Sequence, residues 1–265
     1  MPLGMCRLHL KEGELRESHL IPRAIYKLVR SPGDSNPNPV LITDEGKVRT
    51  QKQLKDYLFC DACEQLLNER GERWVIEHAW RSVTDFPILD ALSAAKPLEA
   101  GTGFRAYDGA AAGLDVAQIA HFGAGMFCRA AAHQWSPIEG QTPPRLDLGP
   151  YEEELRRFVL GVSRFPDNAA LIVSVTSDKS VLRNERFTVP HEDGREPGYR
   201  RHSFVIPGLH FELLVGSVLP PAARDLCIAR TGLIFVSNAK EEQSLFDFWK
   251  LQQKSPELPP VKAKR

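Results

Sequence analysis

The 265-residue sequence lacks a long apolar run and lacks an excess of charge of either sign. No stretch approaches the roughly 18 apolar residues that a membrane-spanning helix needs, and the amino terminus carries no apolar signal core. The 34 basic and 34 acidic residues give a formal net charge of zero, which excludes a global positive field for nucleic acid or an anionic membrane. We therefore expect a soluble protein with no membrane partner, in which any contact with nucleic acid comes from a local basic patch.

Cysteine is also scarce, with five residues in the chain. Two of them, Cys60 and Cys63, form a C-x-x-C pair. Such a pair, without the framework of a small secreted protein, is typical of metal binding in a reducing compartment. We therefore expect a cytoplasmic protein.

A second pair of metal-type ligands lies near the amino terminus, where Cys6 and His9 have the same spacing. Thiolate and imidazole are the ligands that zinc prefers, and two intervening residues let both donors point into one turn. The sequence thus predicts one closed structural zinc site formed by Cys6, His9, Cys60 and Cys63. The alternative for Cys6 and His9 is an ordinary surface pair near a frayed terminus.

The length allows two modest domains, each able to bury a core. We assign residues 1–81 to a zinc-binding domain, 82–113 to a connecting segment with a Gly/Ala-rich passage, and 114–254 to a second domain. Residues 255–265, with prolines and a basic end, are expected to form a flexible tail. The expected fold class is α+β in both domains.

Periodicity predicts the elements of each domain. In the first, two short extended segments precede a helical pattern from Glu64 to Trp80, which Gly71 interrupts and is expected to kink. In the second, the apolar stretch from 116 to 135 predicts a buried helix, and a further helix begins near Tyr151. The strands of a small, mostly antiparallel sheet are predicted from β-branched and aromatic runs at Ala169–Thr176, Phe204–Ile206, Leu209–Val215 and Leu233–Val236. Turn formers predict a loop at 31–39, and a last helix is predicted at 245–251.

A histidine motif, Glu17-Ser18-His19-Leu20-Ile21-Pro22, lies between the two ligand pairs. Pro22 disfavours helix at Ile21, so the segment is expected to be extended. A lone histidine is usually a satisfied polar group. This one stands before an apolar pair and a proline, and between the two ligand pairs Cys6/His9 and Cys60/Cys63, which we call the first and second knuckle. That order resembles the HNH nuclease family, with its acid-histidine-apolar-apolar-proline segment between two C-x-x-C pairs. The resemblance covers roughly the first eighty residues.

The resemblance implies a ββα-metal fold, a β-hairpin and helix around one divalent cation. It implies that His19 is the general base and that Glu64, directly after the second knuckle, binds catalytic Mg²⁺ or Mn²⁺ on the helix. Asp56 is expected to orient the His19 imidazole, although Lys55 falls near the same position and the strand register decides between them.

The sequence departs from the family pattern at three positions. Ser18 stands where the family usually has an acidic or histidine metal ligand, Glu64 where it usually has histidine, and His9 where it usually has cysteine. Glu17 can compensate for Ser18 only if the strand is bulged, because adjacent residues on a strand face opposite ways.

The expected function is that of a metal-dependent endonuclease, a hydrolase of nucleic acid with DNA as the expected substrate, structural Zn²⁺ and catalytic Mg²⁺ or Mn²⁺. Arg16, Arg23 and Lys27 cluster around the motif and are phosphate-binding candidates, the alternative being a solvated basic face. His121 and His133, on the predicted buried helix, are interpreted as satisfied polar groups.

The second domain is expected to recognise a target or a protein partner, as in bacterial defence or mobile-element systems, by analogy alone. The alternative function is a catalytically degenerate, zinc-stabilised module that binds nucleic acid or protein.

Overall fold

A computed structural model describes residues 1–29, 40–43, 46–49, 53–82, 84–101, 104–135, 145–177 and 187–237, with the backbone alone for 40–43 and 46–49. The fold in these ranges is α+β, as predicted. A three-stranded antiparallel sheet lies near the amino terminus, followed by a two-stranded sheet and a seven-stranded mixed sheet. The predicted loop at 31–39, helix at 245–251 and tail at 255–265 lie outside the described residues.

Short helices are interspersed with strands along the described chain. The strands are β1 Leu3–Met5, β2 Glu12–His19, β3 Val40–Thr43, β4 Gly46–Arg49, β5 Lys55–Cys60, β6 Glu99–Gly101, β7 Phe104–Asp108, β8 Ala169–Thr176, β9 His191–Glu196, β10 Tyr199–Ile206, β11 Leu209–Gly216 and β12 Leu233–Ser237. The α-helices are α1 Arg23–Leu28, α2 Asp61–Leu67, α3 Arg73–His78, α4 Pro87–Ala94, α5 Val116–Ala132, α6 Glu152–Val159, α7 Pro221–Asp225 and α8 Ile228–Thr231. A π-helical turn, Asn68–Glu72, joins α2 to α3.

The amino-terminal sheet has the strand order β1-β2-β5, and β5 runs directly into α2 at Asp61. The register of β2 and β5 shifts along their length. Arg16 lies opposite Phe59 whereas Glu17 lies opposite Tyr57, so Leu58 is an extra residue on β5 and forms a β-bulge. The bulge lies immediately before the histidine motif and sets which way its side chains point.

The seven-stranded sheet has the order β6-β7-β12-β8-β11-β10-β9. Its neighbouring strands are antiparallel except for the parallel pair β12 and β8. The four predicted strands are confirmed as β8, β10, β11 and β12. The expectation of a small sheet with two helices is wrong, because β6, β7 and β9 enlarge the sheet and the second half of the chain also contains α7 and α8.

The missed strands β6 and β9 lie at the edges of this sheet. An edge strand pairs through its backbone on one side and commonly carries charged residues that block further pairing, so it needs no alternating apolar pattern. The sequence of β9, His-Glu-Asp-Gly-Arg-Glu, is of this polar kind. Strands β6 and β7 belong to the 82–113 segment, so part of the predicted connection lies in the sheet, and the domain boundaries themselves stay a prediction.

Helix α5 lies in the middle of the apolar core, as its sequence predicts. It begins after Asp115, whose Oδ1 accepts the Gln118 N–H at 3.0 Å as an N-cap. It ends at Ala132, because His133 is extended. The Phe122 ring packs edge-on against aromatic rings of the seven-stranded sheet. The opposite side of α5 contacts α2, α3 and the π-turn, so this helix joins the two sheets.

The predicted helix from Glu64 to Trp80 is interrupted at the expected place. Gly71 lies inside the π-turn and packs against the backbone of α5. A Cβ atom at this position would stand 2.8 Å from Phe122 N and 2.9 Å from Gln118 O, closer than real Cβ atoms approach. Only glycine lets the two helices come this close.

Gly71→Ala is therefore expected to destabilise the protein by about 1–3 kcal/mol, the usual cost of overpacking a core. The measurement is the midpoint of urea unfolding. Gly13→Ala in β2 is the matched control, because a Cβ there meets nothing within 4 Å, and we expect its effect to stay below about 1 kcal/mol. Equal midpoints for the two variants would contradict the close approach of α5 and the π-turn.

Candidate metal centre

The four predicted zinc ligands come together where β1, β5 and α2 meet. Cys6, His9, Cys60 and Cys63 each offer a ligand atom, and these atoms all lie within 4.8 Å of one another. The first two residues belong to the turn after β1, and the other two end β5 and open α2. Leu10 adopts a left-handed φ of 58°, and its N–H donates to the Cys6 carbonyl at 2.9 Å, which folds the first knuckle back on itself.

This donor set fits a zinc ion. Zinc binds thiolate sulfur at about 2.3 Å, so two tetrahedral ligands lie roughly 3.8 Å apart. His9 Nδ1 is buried and has no hydrogen-bond partner in the described part of the chain, as expected of a nitrogen reserved for a metal. A hydrogen bond from Cys63, helped by backbone N–H groups, lowers the pKa of Cys6, and the same contact raises the pKa of Cys63, as expected of two adjacent thiols that share one proton. The four residues form a group that can hold a structural zinc.

The first knuckle is also held from outside the amino-terminal sheet. Arg156 on α6 donates a hydrogen bond to the carbonyl of Leu8, which lies between the two ligands of this knuckle. The Cys60 N–H points at Cys6 Sγ over 3.4 Å. The candidate zinc site is therefore fixed to β5 on one side and to a helix of the second half of the chain on the other.

Ser18 and Glu64 contact each other beside the zinc ligands. The Ser18 side chain is fully buried, and its Oγ donates to Glu64 Oε1 and accepts the Phe59 N–H at 3.3 Å. Burial raises the pKa of Glu64, while Arg129 and Ser18 act in the opposite direction. Ser18 and Glu64 occupy the positions that the resemblance associates with metal ligands. In the structure the Ser18 hydroxyl faces the Glu64 carboxylate.

A buried arginine on α5 balances this carboxylate. Arg129 is 2 % exposed, and its Nη2 lies 2.6 Å from Glu72 Oε1 and 3.8 Å from Glu64 Oε2. Its guanidinium carbon stands 5.9 Å from the centroid of the Phe59 ring. Arg129 was not predicted from the sequence, although an arginine inside an apolar helix is a signal, because a buried charge requires an acidic partner on a neighbouring element.

His19 makes a different set of contacts from its neighbour Ser18, since successive residues of a strand point to opposite faces. The half-buried imidazole hydrogen-bonds to the Gln53 side chain, and burial lowers the pKa of His19. The residue that contacts Glu64 is thus Ser18. The role of His19 as a general base stays a prediction.

Asp56 binds a histidine, and that histidine is His133 at the end of α5. Asp56 Oδ1 accepts the Tyr57 N–H at 2.7 Å, and Oδ2 lies 3.0 Å from His133 Nε2. In the strand register Asp56 lies opposite Ser18, whereas Lys55 lies opposite His19. Orientation of the His19 imidazole by Asp56 stays a prediction. His133 was interpreted from the sequence as a satisfied polar group, and its partner is Asp56 in the amino-terminal sheet.

Two charged residues of the motif region are engaged in exposed ion pairs. Arg16 Nη2 lies 2.7 Å from Asp61 Oδ1, and Glu17 Oε1 lies 2.7 Å from Lys55 Nζ. Although the strand pair is bulged, the Glu17 side chain is thus directed to Lys55. The Arg16 guanidinium is half-exposed, but it is already paired with the Asp61 carboxylate. Arg16 is therefore a weaker phosphate-binding candidate than a cation without an ion pair.

The other two basic candidates, Arg23 and Lys27, are exposed on α1, which follows the histidine motif directly. They lie one helical turn apart, so their side chains share a face of the helix. Neither has an ion pair with any described residue. They therefore offer two adjacent exposed cations next to the end of β2.

Comparison with protein-family models, curated proteins and solved structures finds no match to this chain. Within the described ranges, no helix is long and apolar enough to cross a membrane. The function is therefore inferred from the residues of the chain itself.

Proposed function

We propose that the chain is a metal-dependent endonuclease of the HNH type, which hydrolyses phosphodiester bonds of nucleic acid, with DNA as the expected substrate. The observation that supports this most is that β2 and β5 form a bulged strand pair and that β5 continues without a loop into α2. The Cys₃His group lies at this junction. The arrangement brings Ser18 against Glu64, with His19 next along the strand. A strand pair and helix around one site is what the resemblance to HNH nucleases implies.

His19 supplies the base in this proposal. An imidazole changes its charge near neutral pH and can take a proton from the attacking water. Arg23 and Lys27 offer cations to phosphate oxygens from α1, directly after the motif. The base and the phosphate-binding candidates thus lie on consecutive elements of the chain.

The remaining component is a divalent cation. The Glu64 carboxylate and the Ser18 hydroxyl are hard oxygen donors suited to Mg²⁺ or Mn²⁺. Among the described residues only the zinc cluster gathers three or more His, Cys, Asp or Glu ligands, so water and substrate phosphate have to complete this site, as they commonly do for magnesium. When bound, the cation neutralises charge on the scissile phosphate and the leaving oxygen.

A second function is favoured by Arg129. Its guanidinium lies 3.8 Å from Glu64 and balances part of the charge that a catalytic cation would meet. The alternative is therefore a zinc-stabilised module that binds nucleic acid or protein without cutting. In either case we propose that the part of the chain containing the seven-stranded sheet recognises a target or a protein partner. A role in bacterial defence or in mobile-element systems is proposed by analogy alone.

Glu64→Gln tests the endonuclease proposal, because glutamine can keep a hydrogen bond with Ser18 but lacks the charge that holds a cation. We expect nicking of supercoiled plasmid in Mg²⁺ to fall by about 10- to 100-fold, the scale of impaired metal sites, with partial recovery in excess Mn²⁺. Zinc content and melting temperature should stay close to wild type.

The control is Glu77→Gln, which removes an exposed carboxylate from α3 and should cut as wild type does. Wild-type protein that cuts neither duplex DNA, single-stranded DNA nor RNA with either metal would overturn the endonuclease proposal. Retarded migration of one of these nucleic acids without cleavage would then support the binding module.

A further inference from the structure

A cavity of about 550 Å³ lies against the π-turn, and none of the four zinc ligands lines it. It is an open cleft lined by the π-turn, the first two turns of α5, the end of α6 with the segment after it, and α8. Pockets of roughly 300–1,000 Å³ hold small-molecule ligands. The apolar wall consists of Val116, Ala117, Ala120, Phe158, Ile228 and Ala229.

His121 lines this cavity and has an unused hydrogen-bond acceptor. Its Nε2 lies 2.8 Å from the Val159 carbonyl, and because a carbonyl can only accept, Nε2 carries the proton and Nδ1 the lone pair. Nδ1 is buried and has no partner among the described residues, and the residue is 7 % exposed. A buried acceptor without a donor is unfavourable unless a ligand or water supplies one.

Arg70 contributes a cation from the π-turn. Its guanidinium packs over Gly161, where any side chain would collide with it. Arg70 is exposed at the cavity and has no ion pair in the part of the chain that the structure describes. This guanidinium is held over the cavity by packing and is free to bind an anion.

The acidic residues of the same wall are already hydrogen-bonded. Asp115 accepts from the Gln118 N–H at 3.0 Å and from Gln118 Nε2 at 2.8 Å, and Glu69 accepts from Gln65 Nε2 at 2.8 Å. Ser163 also lines the cavity, so the wall groups without a partner among the described residues are the Arg70 guanidinium, the Ser163 hydroxyl and His121 Nδ1. Their complement is an anion and a hydrogen-bond donor on an apolar body.

We propose that this cavity binds a small aromatic anion, a carboxylate or sulfonate that pairs with Arg70 and carries an N–H or O–H group for His121 Nδ1. The aromatic body packs against the apolar wall, which includes the Phe158 ring. The proposal does not depend on the endonuclease function.

The test uses 8-anilinonaphthalene-1-sulfonate, which combines a sulfonate, an N–H donor and an aromatic body. Calorimetric and fluorescence titration should show one site per chain. Ala117→Trp fills the cavity from its exposed rim and should weaken binding at least about tenfold, the loss expected when a ligand no longer fits. Ala94→Trp places the same side chain on an exposed position of α4 outside the cavity and should bind as wild type.

The charge is tested by Arg70→Gln, which should weaken binding by about tenfold, the scale of one charge-assisted hydrogen bond. Arg73→Gln removes an exposed arginine of α3 that does not line the cavity and should have no effect. N-phenyl-1-naphthylamine, which lacks the sulfonate, should bind wild type and Arg70→Gln equally. Absence of a single site, binding that Ala117→Trp leaves unchanged, or equal effects of Arg70→Gln and Arg73→Gln would each overturn the proposal.

Discussion

Removal of zinc is expected to unfold the amino-terminal sheet and α2, and Cys63→Ser is expected to prevent them from forming. This sheet has three strands, and its edge strand β1 has three residues. Small sheets of this kind need further stabilisation, and the binding free energy of a structural zinc, about 10–16 kcal/mol in zinc-finger peptides, is largely folding free energy. Elemental analysis should find about one zinc per chain, and chelation should lower the melting temperature by about 10 °C or more.

The control for this prediction is Cys128→Ala, which removes a buried thiol on α5 that is not part of the cluster. This variant should keep its zinc and lose only the stability that a small packing change costs, about 1 kcal/mol. Wild-type protein without zinc would refute the prediction, as would a Cys63→Ser variant that melts like Cys128→Ala.

The zinc ligands could be predicted from the sequence because their spacing is local. Two residues between donors define a knuckle whatever the rest of the fold, and the four residues do lie together. The same holds for α5 and for the strands β8, β10, β11 and β12, whose apolar patterns follow from burial on the core side. Each of these features is determined within one segment of the chain.

The contacts around Glu64 could not be predicted in this way, because they depend on how α5 docks on the amino-terminal sheet. Arg129 and Glu72 are 57 residues apart and pair only because Gly71 lets the π-turn approach α5. His133 likewise contacts Asp56 across 77 positions of sequence, because the end of α5 lies beside β5. Local periodicity predicts the helix but carries no information on which acid on another element faces it.

Docking of α5 also has a functional consequence. Arg129 lies in the last turn of α5 and His133 directly follows the helix, and each binds an acid of the amino-terminal region. The candidate site is therefore completed by the second half of the chain, so the first eighty residues are not expected to reproduce its electrostatics when expressed alone. A ligand or partner that shifts α5 would change the environment of Glu64 through Arg129.

His19→Ala is expected to lower nucleic-acid cleavage by about two to four orders of magnitude, the usual contribution of a positioned acid–base group. The imidazole is half-buried, hydrogen-bonds to Gln53 and is not one of the four zinc donors, so zinc content and melting should stay near those of wild type. Initial rates of plasmid nicking at saturating Mg²⁺ or Mn²⁺ measure the effect. At saturating metal the rate of His19→Ala should stay low, because the base is missing. The rate of Glu64→Gln should partly recover, because that variant has lost metal affinity.

His133→Ala is the matched control, because it removes a second half-exposed histidine close to the same strand pair. If His19 is the base, His133→Ala should keep most of the activity, and Asp56→Asn should lose activity only if Asp56, which lies 3.0 Å from His133, also orients His19. The opposite pattern, full activity in His19→Ala and large losses in both His133→Ala and Asp56→Asn, would reject His19. It would assign the proton transfer to the imidazole held by Asp56, because a carboxylate that binds one ring nitrogen fixes the tautomer and leaves the other nitrogen to accept a proton.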